Sequence, residues 1–178
     1  MDISQIYDST DTICAISTAP GAGAIAVARI SGNDAMAICD RIWHGAKLSE
    51  AATHTAHLGT IVDPENGEVL DQAVATVFRA PGTFTGEDIV EFGIHGSRWI
   101  QRRLIALLIR QGARMALPGE FTRRAFASGK MDLAEAEAVA DVIASSSAAA
   151  HRLAMNQMRG MYSRRLSELR AELLDLAS

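Results

Sequence analysis

Cysteine is scarce in this chain. Cys14 and Cys39 are the only two in 178 residues, too few for a disulfide framework, so a reducing compartment is the expected setting. An excess of basic charge is missing too. Seventeen Lys and Arg face 21 Asp and Glu, a formal net charge of -4 with pI near 5.7, which excludes a general electrostatic grip on nucleic acid and leaves only local basic patches. No apolar run reaches the roughly 20 residues of a membrane-spanning helix. The start, Met1-Asp-Ile-Ser-Gln, has neither the basic nor the apolar region of a signal peptide, so a soluble, cytoplasmic protein without membrane contact is expected. A phosphate-binding loop of the form G-x-x-x-x-G-K-[ST] is also lacking: around Gly129-Lys130, Arg124 stands where the first glycine belongs and Met131 where the hydroxyl belongs. Binding or hydrolysis of a nucleoside triphosphate through such a loop is therefore not expected of this stretch.

What is present is enough to fold. Hydrophobic residues make up 48% of the chain, and its length suits one domain with an extension. Residues 1–11 hold few apolar anchors and read as a loosely held arm. Residues 12–17 read as a strand, Thr18-Ala-Pro-Gly-Ala-Gly23 as a loop, and residues 24–30 as a second strand. In that second strand Ile25, Val27 and Arg29 share one face, and Ala26, Ala28 and Ile30 the other. Gly21-Ala-Gly-Ala-Ile-Ala26 looks like part of a dinucleotide fingerprint, but a strand follows it and the third glycine is missing, so that reading is set aside. Ser31-Gly-Asn33 is read as the cap of a helix over residues 34–43, and residues 44–52 as a polar linker. Two alternating runs, 53–62 and 69–78, flank Asn66-Gly67, the strongest hairpin signal in the chain. After Pro81-Gly82 comes a strand at 89–95 whose Val90, Phe92 and Ile94 point one way while Glu91 and His95 point the other. Ser97 caps a helix over 98–111, stopped by Gly112, and 113–117 is a short last strand. About five strands, helices between them and an internal hairpin give an α+β fold with a mixed sheet.

The remainder is helical. Pro118 opens a turn carrying Phe121, Ala125 and Phe126, Gly129 ends it, and Lys130 sits on that glycine turn. Asp132 and Glu135 form an acidic capping box ahead of the stripe Leu133, Ala136, Val139, Ala140 and Ile143. Ser145-Ser-Ser147 bends or restarts the helix. Met155, Met158, Tyr162, Leu166, Leu169, Leu173 and Leu176 then recur at three and four residues, a coiled-coil-like seam, interrupted by Gly160 at about 1 kcal/mol relative to alanine. The seam is still running at Ser178, so a partner chain or a longer protein is expected to cover it. The expected domains are 1–118 and 119–178.

Taken by residue type alone, the candidates keep ordinary alternatives. Glu91 and Arg29 suit a solvated face of an antiparallel sheet, and Lys130 a surface helix start. His95 beside Gly96 suits an anion site, a proton carrier or a structural histidine bonded to backbone. His54 and His57 fall on opposite faces of a strand, which argues against a metal pair, and no metal is expected. Arg98, Arg102, Arg103 and Arg110, with Arg123 and Arg124, suit either a nucleic-acid-facing patch or salt-bridged helix faces.

Several motifs in a fixed order carry a resemblance. Asp11-Thr-Ile-Cys-Ala-Ile-Ser-Thr-Ala-Pro-Gly, Arg29-Ile-Ser-Gly32, Phe84-Thr-Gly-Glu-Asp88, His95-Gly96, Pro118-Gly-Glu-Phe-Thr-Arg-Arg-Ala-Phe126 and Gly129-Lys-Met-Asp-Leu-Ala-Glu-Ala-Glu-Ala-Val-Ala-Asp141 together resemble the tRNA-modification GTPase family known as MnmE or TrmE. The resemblance implies an N-terminal domain similar to the tetrahydrofolate-binding modules of aminomethyltransferases, followed by the first helices of a central helical domain. It implies a tetrahydrofolate cofactor, 5-formyl or 5,10-methylene, contacted by Arg29, Glu91 and Lys130, with no catalytic residue in this stretch. It implies a homodimer through the N-terminal domain, MnmG and tRNA as partners, and an aminomethyl group added at C5 of the wobble uridine, U34. GTP, Mg and K would belong to a GTPase module that this stretch does not contain. Many family members have Gly-Arg-Gly-Gly-x-Gly where this chain has Gly21-Ala-Gly-Ala-Ile-Ala26, and a second glycine where it has Ser97. An assembly module with a vestigial folate pocket is the alternative; an independent aminomethyltransferase is disfavoured because no catalytic acid can be assigned.

Overall fold

Period-two alternation lays out a sheet with one apolar face. The computed structural model describes residues 11–176, and of Tyr162 and Leu176 the backbone alone; the arm expected at 1–11 lies almost wholly outside them. The strands are β1 (Ile13–Ile16), β2 (Ile25–Ser31), β3 (Trp43–His44), β4 (Thr55–Val62), β5 (Val69–Phe78), β6 (Ile89–His95) and β7 (Arg114–Met115), in the order β3-β4-β5-β6-β2-β1-β7. All neighbours run antiparallel except β1 and β7. Helices α1 (Ala35–Ile42) and α2 (Arg98–Arg110) complete this layer pair. The fold is of the α+β class.

Ala26, Ala28 and Ile30 of β2, Ala73, Ala75 and Val77 of β5, and Val90, Phe92 and Ile94 of β6 pack into one buried cluster with Met36, Ile38 and Ile42 of α1 and Leu104, Leu107 and Leu108 of α2. The alternate positions stand on the opposite face, where Ile25 is 70% exposed, Leu58 69% and Val74 42%. Removing the inner face from water drives the layering, and it forces the charged residues of β2 and β6 outward.

Residues 44–52 are not a plain linker. Trp43 is buried, packs on Phe92 with ring centroids 5.5 Å apart, and donates its indole N–H to the Ala46 carbonyl at 3.1 Å. Leu48, in a 3-10 turn at Leu48–Glu50, is also buried, and the Asp40 carboxylate accepts its amide at 2.7 Å. Two buried anchors draw the segment onto the sheet as an edge strand and a turn. Nor does Ser31 cap α1. Asp34 occupies the N-cap position without a side-chain bond, and its amide donates to the Thr12 hydroxyl at 3.0 Å.

The chain divides into two compact units, Met1–Glu120 and Phe121–Ser178. Around and beyond the division lie α3 (Glu120–Ala127), α4 (Leu133–Ala144), α5 (Ala148–Met158) and α6 (Met161–Leu176). Both bonds of the Asp132–Glu135 capping box are made, at 2.8 and 2.7 Å, and Ser147 restarts the chain as the N-cap of α5. The expected continuous seam is broken. Gly160 has φ +68°, the left-handed region that ends a helix, so α5 and α6 are separate helices. Leu166, Leu169 and Leu173 remain 54, 41 and 65% exposed.

Both cysteines are buried. Burial pushes the Cys14 thiol up to about 11 and holds Cys39 well above its ordinary value, so both stay protonated at neutral pH and act as small apolar packing groups. No helix among the described residues is long and apolar enough to cross a membrane.

Candidate ligand site on the open face of the sheet

The antiparallel register sets Arg29 of β2 directly opposite Glu91 of β6. With their apolar neighbours turned inward, both side chains stand on the open face and join. The Arg29 Nε donates to Glu91 Oε1 at 2.7 Å, and Nη2 reaches the same oxygen at 2.6 Å. Each side chain keeps about a quarter of its surface, 25 and 23%, so the pair is shielded more than a surface salt bridge yet open to a ligand.

The loop between β5 and β6 puts an aromatic wall beside this pair. Phe84 lies with its ring centroid 5.3 Å from the Arg29 guanidinium carbon, a cation–π distance. The rest of that motif is scaffold. Ser31 donates to Glu87 Oε2 at 2.6 Å and lies 2.8 Å from the Thr85 hydroxyl, while Thr83 donates to the Glu87 carbonyl at 2.6 Å. Asp88 accepts the Ala80 amide at 2.9 Å, and Arg79 donates to the carbonyls of Leu48 and Ser49. The sequence assigns Phe84 no role and gives Ser31 only that of a helix cap, not this one. Their only signal was membership in the quoted motifs, and the long-range contacts that use them leave no local pattern.

At the other end of β6 the glycine loop after β1 is pinned. Gly23 donates to the Gly96 carbonyl at 3.1 Å, Gly96 to the Ala24 carbonyl at 3.2 Å, and the Gln101 side-chain amide to the carbonyls of Gly21 and Gly96 at 3.0 and 3.1 Å. A Cβ on Gly96 would stand 2.7 Å from the Gly23 carbonyl carbon and closer still to its oxygen, a clash with backbone that no rotamer relieves. Gly96→Ala is therefore expected to shift the 20–24 loop and lower stability by about 1–3 kcal/mol, read by thermal melting; an unchanged melt would show that the loop yields freely.

Lys130 belongs to the second unit. It follows Gly129, φ +73°, in the turn between α3 and α4, and its amide donates to the Ala125 carbonyl at 2.9 Å. Of the three residues expected to contact ligand, Arg29 and Glu91 are thus brought into contact within the first unit.

The α2 arginines do not form one patch. Arg110 pairs with Asp63 at 2.5 Å and lies 3.6 Å from Glu65, and Arg103 reaches Glu68 at 3.5 Å. The Asp63 carboxyl is held below its ordinary range, first by the backbone N–H of Glu65 and then by Arg110. Arg98 and Arg102 instead line an open groove of about 880 Å³ with Ile105, Ile109 and Met115 on its walls. His54 has φ +61° with its ring on Thr53, and His57 bonds Thr55. Among the described residues no three His, Cys, Asp or Glu gather as metal ligands would.

Comparison with known proteins adds the following. The family model described as GTP-binding protein TrmE N-terminus matches residues 12–130. A tRNA modification GTPase MnmE of Parabacteroides distasonis is 56% identical over 171 residues, 94% of this chain and 37% of that protein. Proteins of the same name from Cytophaga hutchinsonii and Lactobacillus acidophilus are 47 and 43% identical, covering 100 and 97% of this chain and 38% of each relative. The chain thus spans a little over a third of the length of these relatives.

Proposed function

Because this chain belongs to the TrmE N-terminal family, we propose that it is the N-terminal part of a tRNA-modification GTPase, and that its own task is to hold a tetrahydrofolate carrier on the open face of its sheet. The observation that carries the reading is the Arg29–Glu91 pair, set on an accessible sheet face with both guanidinium contacts on one carboxylate oxygen. A carboxylate so placed accepts parallel hydrogen bonds from the amino group and ring N–H of a pterin, and charge-assisted bonds of this kind are the stronger ones. Arg29 meets a ring carbonyl oxygen beside it, and Phe84 offers an apolar face to a flat ring. Lys130 is assigned to the ligand by the family resemblance alone; its ammonium, a point charge on a flexible stem, suits a carboxylate. When bound, the 5-formyl or 5,10-methylene carrier supplies the one-carbon unit; the residues of this chain bind and orient it.

In the whole protein, on this reading, a GTPase module using GTP, Mg and K, the partner MnmG and tRNA join the domain, and U34 gains its aminomethyl group at C5. The domain forms a homodimer. The test is a calorimetric titration of 5-formyltetrahydrofolate into the chain, where saturable binding is expected. Absence of heat from a folded protein would remove the folate reading. The second reading is an assembly module, favoured by the exposed Ile25, Leu58 and Val74 on the same face; a dimer by light scattering that ignores folate would support it.

A further inference from the structure

At the far end of β6 from Glu91 stands a second prepared group. Asp71 is nearly buried, with 7% of its side chain exposed, yet no arginine or lysine pairs with it among the described residues. It is held instead by His95. The His95 amide donates to Asp71 Oδ2 at 2.8 Å, and ring Nδ1 lies 2.7 Å from Oδ1. An ionised carboxylate can only accept, so a neutral ring bonded to it in this way carries its proton on Nδ1 and offers Nε2 as an acceptor. The ring itself is 71% exposed. An exposed ring adds little to folding, and the backbone amide alone could hold Asp71. A buried carboxylate fixing the tautomer of a solvent-facing imidazole is the arrangement of a histidine that presents Nε2 to something outside.

On this face of β6 only Gly93 stands between His95 and Glu91, with Val27 and Val74 beside it on the neighbouring strands. Opposite each other across β2 and β6 stand Arg29 and Glu91, then Val27 and Gly93, then Ile25 and His95. Gly93 needs no special backbone: its φ is not positive, and a Cβ there would meet only the Val74 carbonyl, at 3.7 Å. Its lack of a side chain keeps the floor of the strip flat. Four residues of strand span about 13 Å, a length comparable to the reach from a bicyclic head across one aromatic ring.

We propose that the ligand lies along this strip, its head at Arg29–Glu91, its ring over Gly93, and an N–H of its tail donating to Nε2 of His95, which Asp71 positions. The inference rests on the folate reading, and the tail N–H is then the amide joining the aminobenzoyl ring to glutamate.

The experiment is calorimetry on the whole chain with 5-formyltetrahydrofolate, repeated with 6-methyltetrahydropterin, which has the head and no tail. His95→Ala should bind the full ligand about fivefold to tenfold more weakly, the worth of one neutral hydrogen bond, and the head-only ligand as wild type does. A merely structural role would weaken both or neither. Gly93→Val, whose β-branched side chain suits a strand, should remove binding of the full ligand with an unchanged melting curve; should it fail to fold, His95→Ala decides alone. Asp71→Asn should shift the ring ¹⁵N resonances away from the Nδ1–H tautomer and share the His95→Ala defect. Full-ligand binding untouched in His95→Ala, with Glu91→Ala defective, overturns the strip and leaves the folate reading standing. No binding by wild type removes the folate reading, and the strip with it.

Discussion

Glu91→Ala is expected to weaken 5-formyltetrahydrofolate binding about a hundredfold while leaving the fold intact. Truncating one member of a hydrogen-bonded charge pair in a binding site typically costs about 2–5 kcal/mol, much of it from the charge left behind. Here the ligand would meet Arg29 without the carboxylate that receives its donors. Stability should fall by about 1 kcal/mol or less, because each partner retains roughly a quarter of its exposure and such pairs add little to folding. Glu91→Gln, which keeps the shape and one acceptor oxygen, should lie between. Calorimetry beside a thermal melt separates the two effects. Wild-type affinity in a folded Glu91→Ala protein would move the site elsewhere.

The second large effect is on stability. Glu120 is 2% exposed, and its carboxylate accepts from Arg114 Nη2 at 2.8 Å, Arg114 Nη1 at 3.1 Å and the Leu117 amide at 2.7 Å. These bonds hold the guanidinium above its already high ordinary range, Glu120 being the first cause. Arg114 in turn reaches Asp11 at 3.0 Å, and among the described residues its strand β7 pairs with no strand but β1. Removing the carboxylate leaves a poorly compensated cation and an orphaned amide at the sheet edge, so Glu120→Ala should cost about 3–5 kcal/mol and about 10 °C in Tm. Glu120→Gln, able to accept but not to pair, should lose less. A Glu120→Ala melt within a degree or two of wild type would mean that β7 is held by its backbone bonds alone.

How much of this could be read in advance depended on sequence distance. Alternation placed Ala26, Ala28 and Ile30 inward and Arg29 outward because a period of two is a local property. The capping box at Asp132 and the cap at Ser97 were legible for the same reason, each a bond closed within three residues. The Ser31 reading failed on that ground: its hydroxyl goes to Thr85 and Glu87, over 50 residues away, and nothing nearby signals them. The edge strand at Trp43 was hidden in two residues, too few to show a period. Arg29 and Glu91 were each marked by motif, but their contact rests on the β2–β6 register, which only the closed sheet shows. Gly160 reads the same in one helix or between two until its φ is known.

The placing of β6 beside β2 also has a meaning in time. The β4–β5 hairpin closes over six residues, whereas Arg29 and Glu91 are 62 apart in sequence. Closing so long a loop is slow, because its entropy must be spent before the pairing contacts form. On a ribosome, the strand that completes the site emerges only after β3, β4 and β5 have been made. Competence to hold a ligand there is a late event in the life of the chain, and a molecule that has acquired it has already assembled the centre of its sheet.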